Sequence, residues 1–243
     1  MRRFGLIGFP LTHSFSQKYF NEKFVQLGLV DCMYENFSLA HIDELKNVLD
    51  QKGLCGFNIT IPYKKQVISF LDEQSDVVKQ IGACNCVNIK NGVLTGYNTD
   101  VTGFEKSLST FLKPHHTTAL VLGTGGASAA VIFVLKKLGI EYQYVSREKS
   151  ATAISYDELD KAMIESHHLL INTTPVGMYP NVFDFPAIPY QYLTAQHYLY
   201  DLVYNPAETK FLEQGRLQGA IIQNGQEMLV LQAEESWRIW NSH

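Results

Sequence analysis

The chain has 243 residues, 46% of them hydrophobic, and 20 Lys and Arg against 24 Asp and Glu give a formal net charge of -4. That is enough apolar material for a core that needs no disulfide or metal staple, in one large domain or two modest ones. A slightly acidic balance without any lysine or arginine run excludes a nucleic-acid face and a membrane-surface helix, and it points to small-molecule partners.

The opening Met1-Arg2-Arg3-Phe4 is basic, but Pro10, His13 and Gln17 interrupt any apolar signal core. No later segment is long enough to span a bilayer, so a cytoplasmic protein is expected. Four cysteines, Cys32, Cys55, Cys84 and Cys86, are too few and too irregular for a disulfide framework and are expected as reduced thiols. Cys84 and Cys86 share one strand face, yet no second pair or nearby histidine completes four ligands, so no metal is expected.

Residues 3–8 read as a short apolar strand, followed by the loop Pro10-Leu11-Thr12-His13-Ser14 and a helix with Phe15, Tyr19, Phe20, Phe24 and Leu27 at helical spacing. Ser14 and Ser16 stand at its start. One hydroxyl suffices as a cap, which leaves the other for a ligand. Residues 32–37 read as a second strand, 42–49 as a helix closed by Gly53, and 56–61 as a third strand stopped by Pro62. The spacing of Val67, Ile68 and Leu71 then predicts a helix over 63–71 with Lys64 in its first turn, where macrodipole and desolvation would both disfavour an ammonium. Asn58 and Thr60 alternate on the strand and are expected on the face to which Lys64 points. The alternative at Lys64 is a solvated surface lysine. Residues 83–89 and 93–96 flank Asn91-Gly92, the strongest short hairpin signal in the chain. Asp100 falls near the start of a helix carrying Phe104, Leu108 and Leu112, as a cap or as a functional carboxylate.

After the linker Lys113-Pro114-His115-His116, residues 118–122 form a buried strand that runs into Gly123-Thr124-Gly125-Gly126-Ala127-Ser128 and a helix ended by Gly139. Strand, glycine loop and helix fit a dinucleotide pyrophosphate on helix-terminal amides, with Ser128 in place of the third fingerprint glycine. The next strand, 141–145, ends in Ser146-Arg147 where an NAD site would carry a carboxylate for the ribose. A guanidinium there suits the 2′-phosphate of NADP, and Glu148 comes one or two residues late. Further short strands at 169–172, 198–202 and 220–223 place their following loops on the ligand side of an open α/β sheet. The last helix, 226–240, is amphipathic, and Gln232 lies among its apolar residues, either toward solvent or toward a ligand.

Several separated motifs resemble the shikimate dehydrogenase family, and the similarity covers nearly the whole chain. Ile7-Gly8-Phe9-Pro10 with His13-Ser14-Phe15-Ser16 is similar to the family's substrate-binding serine pair, and Asn58-Ile59-Thr60-Ile61-Pro62-Tyr63-Lys64 to its catalytic-lysine motif. Gly82-Ala83-Cys84-Asn85 and Gly96-Tyr97-Asn98-Thr99-Asp100 are similar to its asparagine and aspartate pair. Gly123 to Ala127 resembles its NADP loop, and Asn172-Thr173-Thr174-Pro175-Val176-Gly177-Met178 its signature after the later strand. Tyr204 resembles its substrate-contacting tyrosine, and Asn224-Gly225 with Met228-Leu229 and Gln232 its C-terminal motif. Gln17 stands where the family often has proline, Cys86 where it often has threonine, and Ser146 where asparagine usually precedes the arginine.

The resemblance implies an α/β protein of two domains. The first is an N-terminal α/β substrate domain with a mostly parallel sheet, at 1–100 and completed by the helix at 225–243; the second is a Rossmann-like NADP-binding domain at 101–224. It implies reversible NADP-dependent interconversion of shikimate and 3-dehydroshikimate, with reduction serving chorismate and aromatic amino acid biosynthesis. Lys64 and Asp100 would be catalytic; Ser14, Ser16, Asn58, Thr60, Asn85, Tyr204 and Gln232 would bind substrate with them. Gly123, Thr124, Gly125, Gly126, Ala127, Ser128, Ser146, Arg147, Thr173, Leu202 and Gly225 would bind NADP. A monomer or homodimer is expected. The rival readings are a quinate/shikimate dehydrogenase using NAD and a non-catalytic NADP-binding sensor of the same fold.

Overall fold

A computed structural model describes residues 1–11 and 14–242, which divide into two units, Met1–Asp100 with Ala233–His243, and Val101–Gln232. The first unit carries β1 (Arg2–Gly8), α1 (Phe15–Gln26), β2 (Cys32–Ser38), α2 (Leu45–Leu49), β3 (Leu54–Ile59), β4 (Glu73–Gln74), α3 (Asp76–Ile81), β5 (Cys86–Lys90) and β6 (Val93–Tyr97). Its sheet has the order β2-β1-β3-β5-β6-β4. Pairings β1 with β2, β1 with β3, and β4 with β6 are parallel, while β5 runs antiparallel to β3 and β6. The β5–β6 hairpin turns on Asn91 at φ 55 and Gly92 at φ 82, the two left-handed residues that match the twist of paired strands.

Helix α4 (Thr99–Ser109) opens in the first unit and continues into the second. There follow β7 (Thr118–Leu122), α5 (Ser128–Lys137), β8 (Glu141–Ser146), β9 (Ala153–Ser155), α6 (Lys161–Ser166), β10 (Leu169–Asn172), β11 (Tyr198–Asp201), α7 (Lys210–Leu217), β12 (Ile221–Gln223) and α8 (Gln226–Trp240). The second sheet is parallel throughout, in the order β12-β11-β10-β7-β8-β9. This is Rossmann-like double winding, and the strand order reverses between β7 and β10, where such sheets open a crevice at their carboxyl ends.

Each unit has its own core. In the first, Phe4 stacks on Trp240 at 4.8 Å and Phe20 on Tyr34 at 4.7 Å between ring centroids, so the end of α8 packs onto the N-terminal sheet as part of that unit. Such aromatic pairs add about 1 kcal/mol each beyond the area they bury. In the second, Leu120, Leu122, Leu170, Leu199 and Phe211 form the buried layer. No helix among the described residues is long and apolar enough to cross a membrane.

Two local expectations need correction. Residues 63–71 do not form an α-helix: a turn at 61–65 precedes a 3-10 helix, Gln66–Phe70. Buried Tyr63 and Val67 draw this segment onto the sheet within a single tight turn. The helix expected over 42–49 begins as a 3-10 turn, Ile42–Glu44, before α2.

Candidate active site

Strand β3 delivers Lys64 without a helix. Thr60 N–H donates to Ile7 carbonyl at 2.8 Å, and Tyr63 N–H closes a turn on the Thr60 carbonyl at 3.0 Å. Tyr63 is buried, with its hydroxyl donating to Leu39 carbonyl at 2.6 Å, and Lys64 carbonyl accepts from Cys84 N–H at 2.7 Å. The lysine is thus fixed on both sides by its own backbone, and the macrodipole argument for it lapses because no α-helix starts there.

Lys64 Nζ lies 2.8 Å from Asp100 Oδ2, and the two side chains keep 28% and 19% of their surface exposed. Among the described residues, Asp100 Oδ1 has no hydrogen-bond partner and the ammonium makes this one contact. A half-buried cation and carboxylate with unused donors and one unused acceptor can hold, give and take a proton at a ligand hydroxyl.

The floor beneath the pair is a buried amide and hydroxyl network. Asn85 Oδ1 accepts from Thr99 N–H at 2.6 Å, and Asn85 Nδ2 donates to Thr99 Oγ1 at 3.1 Å. Asn58 Oδ1 accepts from Tyr34 hydroxyl at 2.9 Å, while Asn58 Nδ2 donates to Asn85 carbonyl at 3.2 Å and to Ser236 Oγ at 2.9 Å. Asn58 was expected to present its amide to a ligand; instead it is buried and both its N–H groups are spent inside the protein. Ser14 Oγ caps α1 by accepting from Gln17 N–H at 3.1 Å, and the Ser16 hydroxyl hydrogen-bonds to Tyr34. Thr60 turns its methyl toward Gly8. His13 of the serine motif and Thr12 of the loop before it lie outside the described residues. Burial pushes the Cys84 thiol up to about 12 and Cys86 well above the ordinary thiol range, in keeping with packing residues.

In the second unit Gly123 adopts φ +101, with Thr173 and Thr174 against its Cα. Thr173 Oγ1 donates to Leu122 and Gly123 carbonyls at 2.8 and 3.1 Å, which pins the end of β10 to the end of β7. Thr124, Gly125, Gly126 and Ala127 are exposed. A side chain started at Gly125 or Gly126 would meet no described atom within 4 Å, so the loop has room for a phosphate at the start of α5, and the residues fit a dinucleotide. Ser128 is buried and donates to Gly125 carbonyl at 2.7 Å, and Ser146 donates to Glu148 carbonyl. Both hydroxyls therefore shape the backbone. Arg147 is exposed and forms no ion pair among the described residues, whereas Lys149 pairs with Glu158. Gly225 admits the Leu202 carbonyl against its Cα. Tyr204 is 40% exposed. Gln232 is buried, and its Nε2 donates to Leu229 carbonyl at 2.8 Å.

Residues 6–87 match the model for the shikimate dehydrogenase substrate binding domain. A shikimate dehydrogenase (NADP(+)) of Desulforamulus reducens is 36% identical across 97% of this chain and 88% of its own length. The chain belongs to the shikimate dehydrogenase family. Among solved members, the shikimate 5-dehydrogenase of Listeria monocytogenes in complex with shikimate and NAD is similar at TM-score 0.89 and 28% identity, covering 99% of this chain and 91% of that one. The shikimate 5-dehydrogenase of Thermus thermophilus in complex with NADP(H) and shikimate gives TM-score 0.86 and 30% identity over 99% and 93%.

Within this shikimate dehydrogenase frame, the structure brings Lys64, Asp100, Asn85 and Asn58 into one connected cluster. It also reveals Tyr34, Thr99 and Ser236, which sequence reasoning passed over as site residues. Only Thr99 carried a signal, as a member of the Asn98-Thr99-Asp100 motif. Tyr34 reads as an ordinary strand aromatic, and Ser236 as a helix surface position.

Proposed function

We propose that this chain is an NADP-dependent shikimate dehydrogenase that reversibly oxidises shikimate to 3-dehydroshikimate, with reduction running toward chorismate and the aromatic amino acids. The single observation that carries the reading is the 2.8 Å contact of Lys64 Nζ with Asp100 Oδ2, in a chain whose relatives are named shikimate dehydrogenase (NADP(+)) along nearly their whole length. The protein is taken as cytoplasmic and as a monomer or homodimer.

NADP(H), when bound, supplies or accepts the hydride. Lys64 holds the oxygen of the reacting carbon: in reduction it stabilises the charge that grows there and gives a proton, and in oxidation it takes the proton back. Asp100 keeps the ammonium in place and accepts from a neighbouring substrate hydroxyl through Oδ1. Asn85, Thr60, Ser14 and Ser16 supply neutral polar groups for a polyol acid, which suits them to reject analogues that leave a hydroxyl partner unpaired. Tyr204 and Gln232 are assigned to substrate by the family resemblance. In the second unit the amides from Gly123 to Ala127 would hold the pyrophosphate of NADP(H), Arg147, without an ion pair among the described residues, would hold its 2′-phosphate, and Thr173, Leu202 and Gly225 would line its crevice.

The test is nicotinamide absorbance on mixing the protein with shikimate and NADP. Turnover is expected, and Lys64→Ala should lower kcat on the order of a hundredfold or more. Unchanged absorbance at saturating substrate would leave the non-catalytic sensor reading in its place.

A further inference from the structure

Ser236 sits in the half of α8 that belongs to the first unit, and it is fully buried. Its Oγ lies 2.9 Å from Asn58 Nδ2 and 3.2 Å from Thr99 Oγ1. Both of those neighbours hold Asn85, whose backbone is also fixed by Ile59 N–H and Tyr97 carbonyl. Thr99 holds the Asn85 side chain at both ends of its amide, and Asn58 holds the Asn85 backbone carbonyl at 3.2 Å.

The chemistry of the donors fixes the polarity of this cluster. A backbone N–H only donates, so the 2.6 Å contact with Thr99 N–H assigns the Asn85 oxygen to that side and its NH2 to the other. A backbone carbonyl only accepts, so Asn58 must turn its NH2 toward Asn85 carbonyl and Ser236, and its oxygen toward Tyr34. One Asn85 N–H goes to Thr99 Oγ1. The second has no acceptor among the described residues, and its direction depends on where Thr99 Oγ1 stands.

We propose that Ser236 is a positioning residue for substrate binding: through Thr99 and Asn58 it aims the free N–H of Asn85 at a substrate hydroxyl, without touching substrate itself. The proposal rests on the shikimate reading above. It gives the C-terminal helix a part in substrate affinity beyond its packing against the N-terminal sheet.

The test is steady-state kinetics of Ser236→Ala and Ser236→Thr, each in the parent chain and in an Asn85→Ala background. Ser236→Ala is expected to raise KM for shikimate about fivefold to tenfold, the scale of one lost positioned hydrogen bond. KM for NADP should stay unchanged and kcat should stay within about twofold, as for a loss of uniform binding. Ser236→Thr, which keeps the hydroxyl, should restore the parent KM. In the Asn85→Ala background Ser236→Ala should have no further effect, because the group it aims is gone. Should Ser236→Ala not fold, Ser236→Cys serves in its place, since a thiol fills the volume with a weaker acceptor. An unchanged shikimate KM, or the same increase in both backgrounds, overturns the proposal. Absence of turnover in the parent chain would instead overturn the functional reading, so the two failures are distinguishable.

Discussion

Asp100 Oδ2 is spent on Lys64, and Oδ1 has no partner among the described residues, so the pair separates two jobs that a charge count would merge: holding a ligand and exchanging its proton. Lys64→Arg keeps the cation and its attraction to Asp100, but a guanidinium does not release a proton near neutral pH. Its kcat is expected to fall on the order of a hundredfold while KM for shikimate changes far less; a fully active Lys64→Arg enzyme would show that charge alone suffices. Cysteine labelling makes a second residue-scale check. Cys84 and Cys86 are fully buried and raised well above the usual thiol range by desolvation, whereas Cys32 and Cys55 are partly exposed. A thiol reagent at neutral pH should therefore modify at most two sites in the native protein and four after denaturation, read by mass spectrometry. At this scale the sequence singled out Lys64 and Asp100 by motif and position, and the structure sets them 2.8 Å apart. It misplaced Asn58, because alternation along a strand says which face a residue occupies and not whether a tyrosine from β2 already fills that face. Ser236 was illegible for the same reason: a serine in an amphipathic helix looks solvated until the packing partner is known.

The glycine loop separates backbone need from ligand need within one element. Gly123 has φ +101, and a side chain there would press on Thr174 Cγ2 at 2.6 Å and Thr173 Oγ1 at 3.0 Å. Gly123→Ala should therefore lower thermal stability and weaken NADP binding together. At Gly125, where φ is not left-handed and no described atom is near, Gly125→Ala should leave the melting temperature within about 2 °C, since surface changes stay within about 0.5 kcal/mol. It should still raise KM for NADP severalfold by filling the approach to the phosphate. Equal loss of stability in both variants would make the loop a turn and nothing more. This loop, the hairpin at Asn91-Gly92 and the long helix α8 were legible because each has a local signal of turn chemistry or sustained period. The two-residue β4, the three-residue β9 and the short helices α3 and α6 were not, since a few residues carry no period and these elements exist through sheet pairing and packing. The 3-10 helix after Lys64 belongs with them: its apolar spacing fits an α-helix, and tertiary burial of Tyr63 and Val67 selects the tighter turn.

Four histidines meet at the N-terminal edge of the second sheet, a feature that belongs to the stability of that whole unit. His115 lies 4.3 Å from His116 between ring centroids, His168 lies 5.6 Å from His115, and His197 lies 5.2 Å from His168. His116 Nδ1 accepts from Lys113 N–H at 3.0 Å and its Nε2 faces Gln196 carbonyl at 3.1 Å. His197 repeats the arrangement, with Thr194 N–H at 2.9 Å on Nδ1 and Ile164 carbonyl at 3.1 Å on Nε2. A backbone donor on one nitrogen and a backbone acceptor on the other define the neutral tautomer. Burial lowers both pKa values, and the neighbouring histidines add to this. Glu165 pulls the other way at His197. With folded values below the unfolded value of about 6.5, the unfolded chain binds protons first as the solution is acidified. Stability contributed by the neutral rings is thus complete above that pH and declines below it. Asp201 opposes this: burial pushes its carboxyl up to about 6, so the folded state takes up a proton between there and the unfolded value, and acid favours folding in that window. The histidine loss sets in just below the histidine value, and Asp201 increasingly opposes it as the pH falls through about 6. Urea midpoints should hold level from pH 8 to pH 7 and then fall toward pH 5.5. His116→Gln with His197→Gln should flatten that fall even if it lowers the neutral midpoint, and an unaltered slope in the double variant would trace the acid sensitivity to other groups.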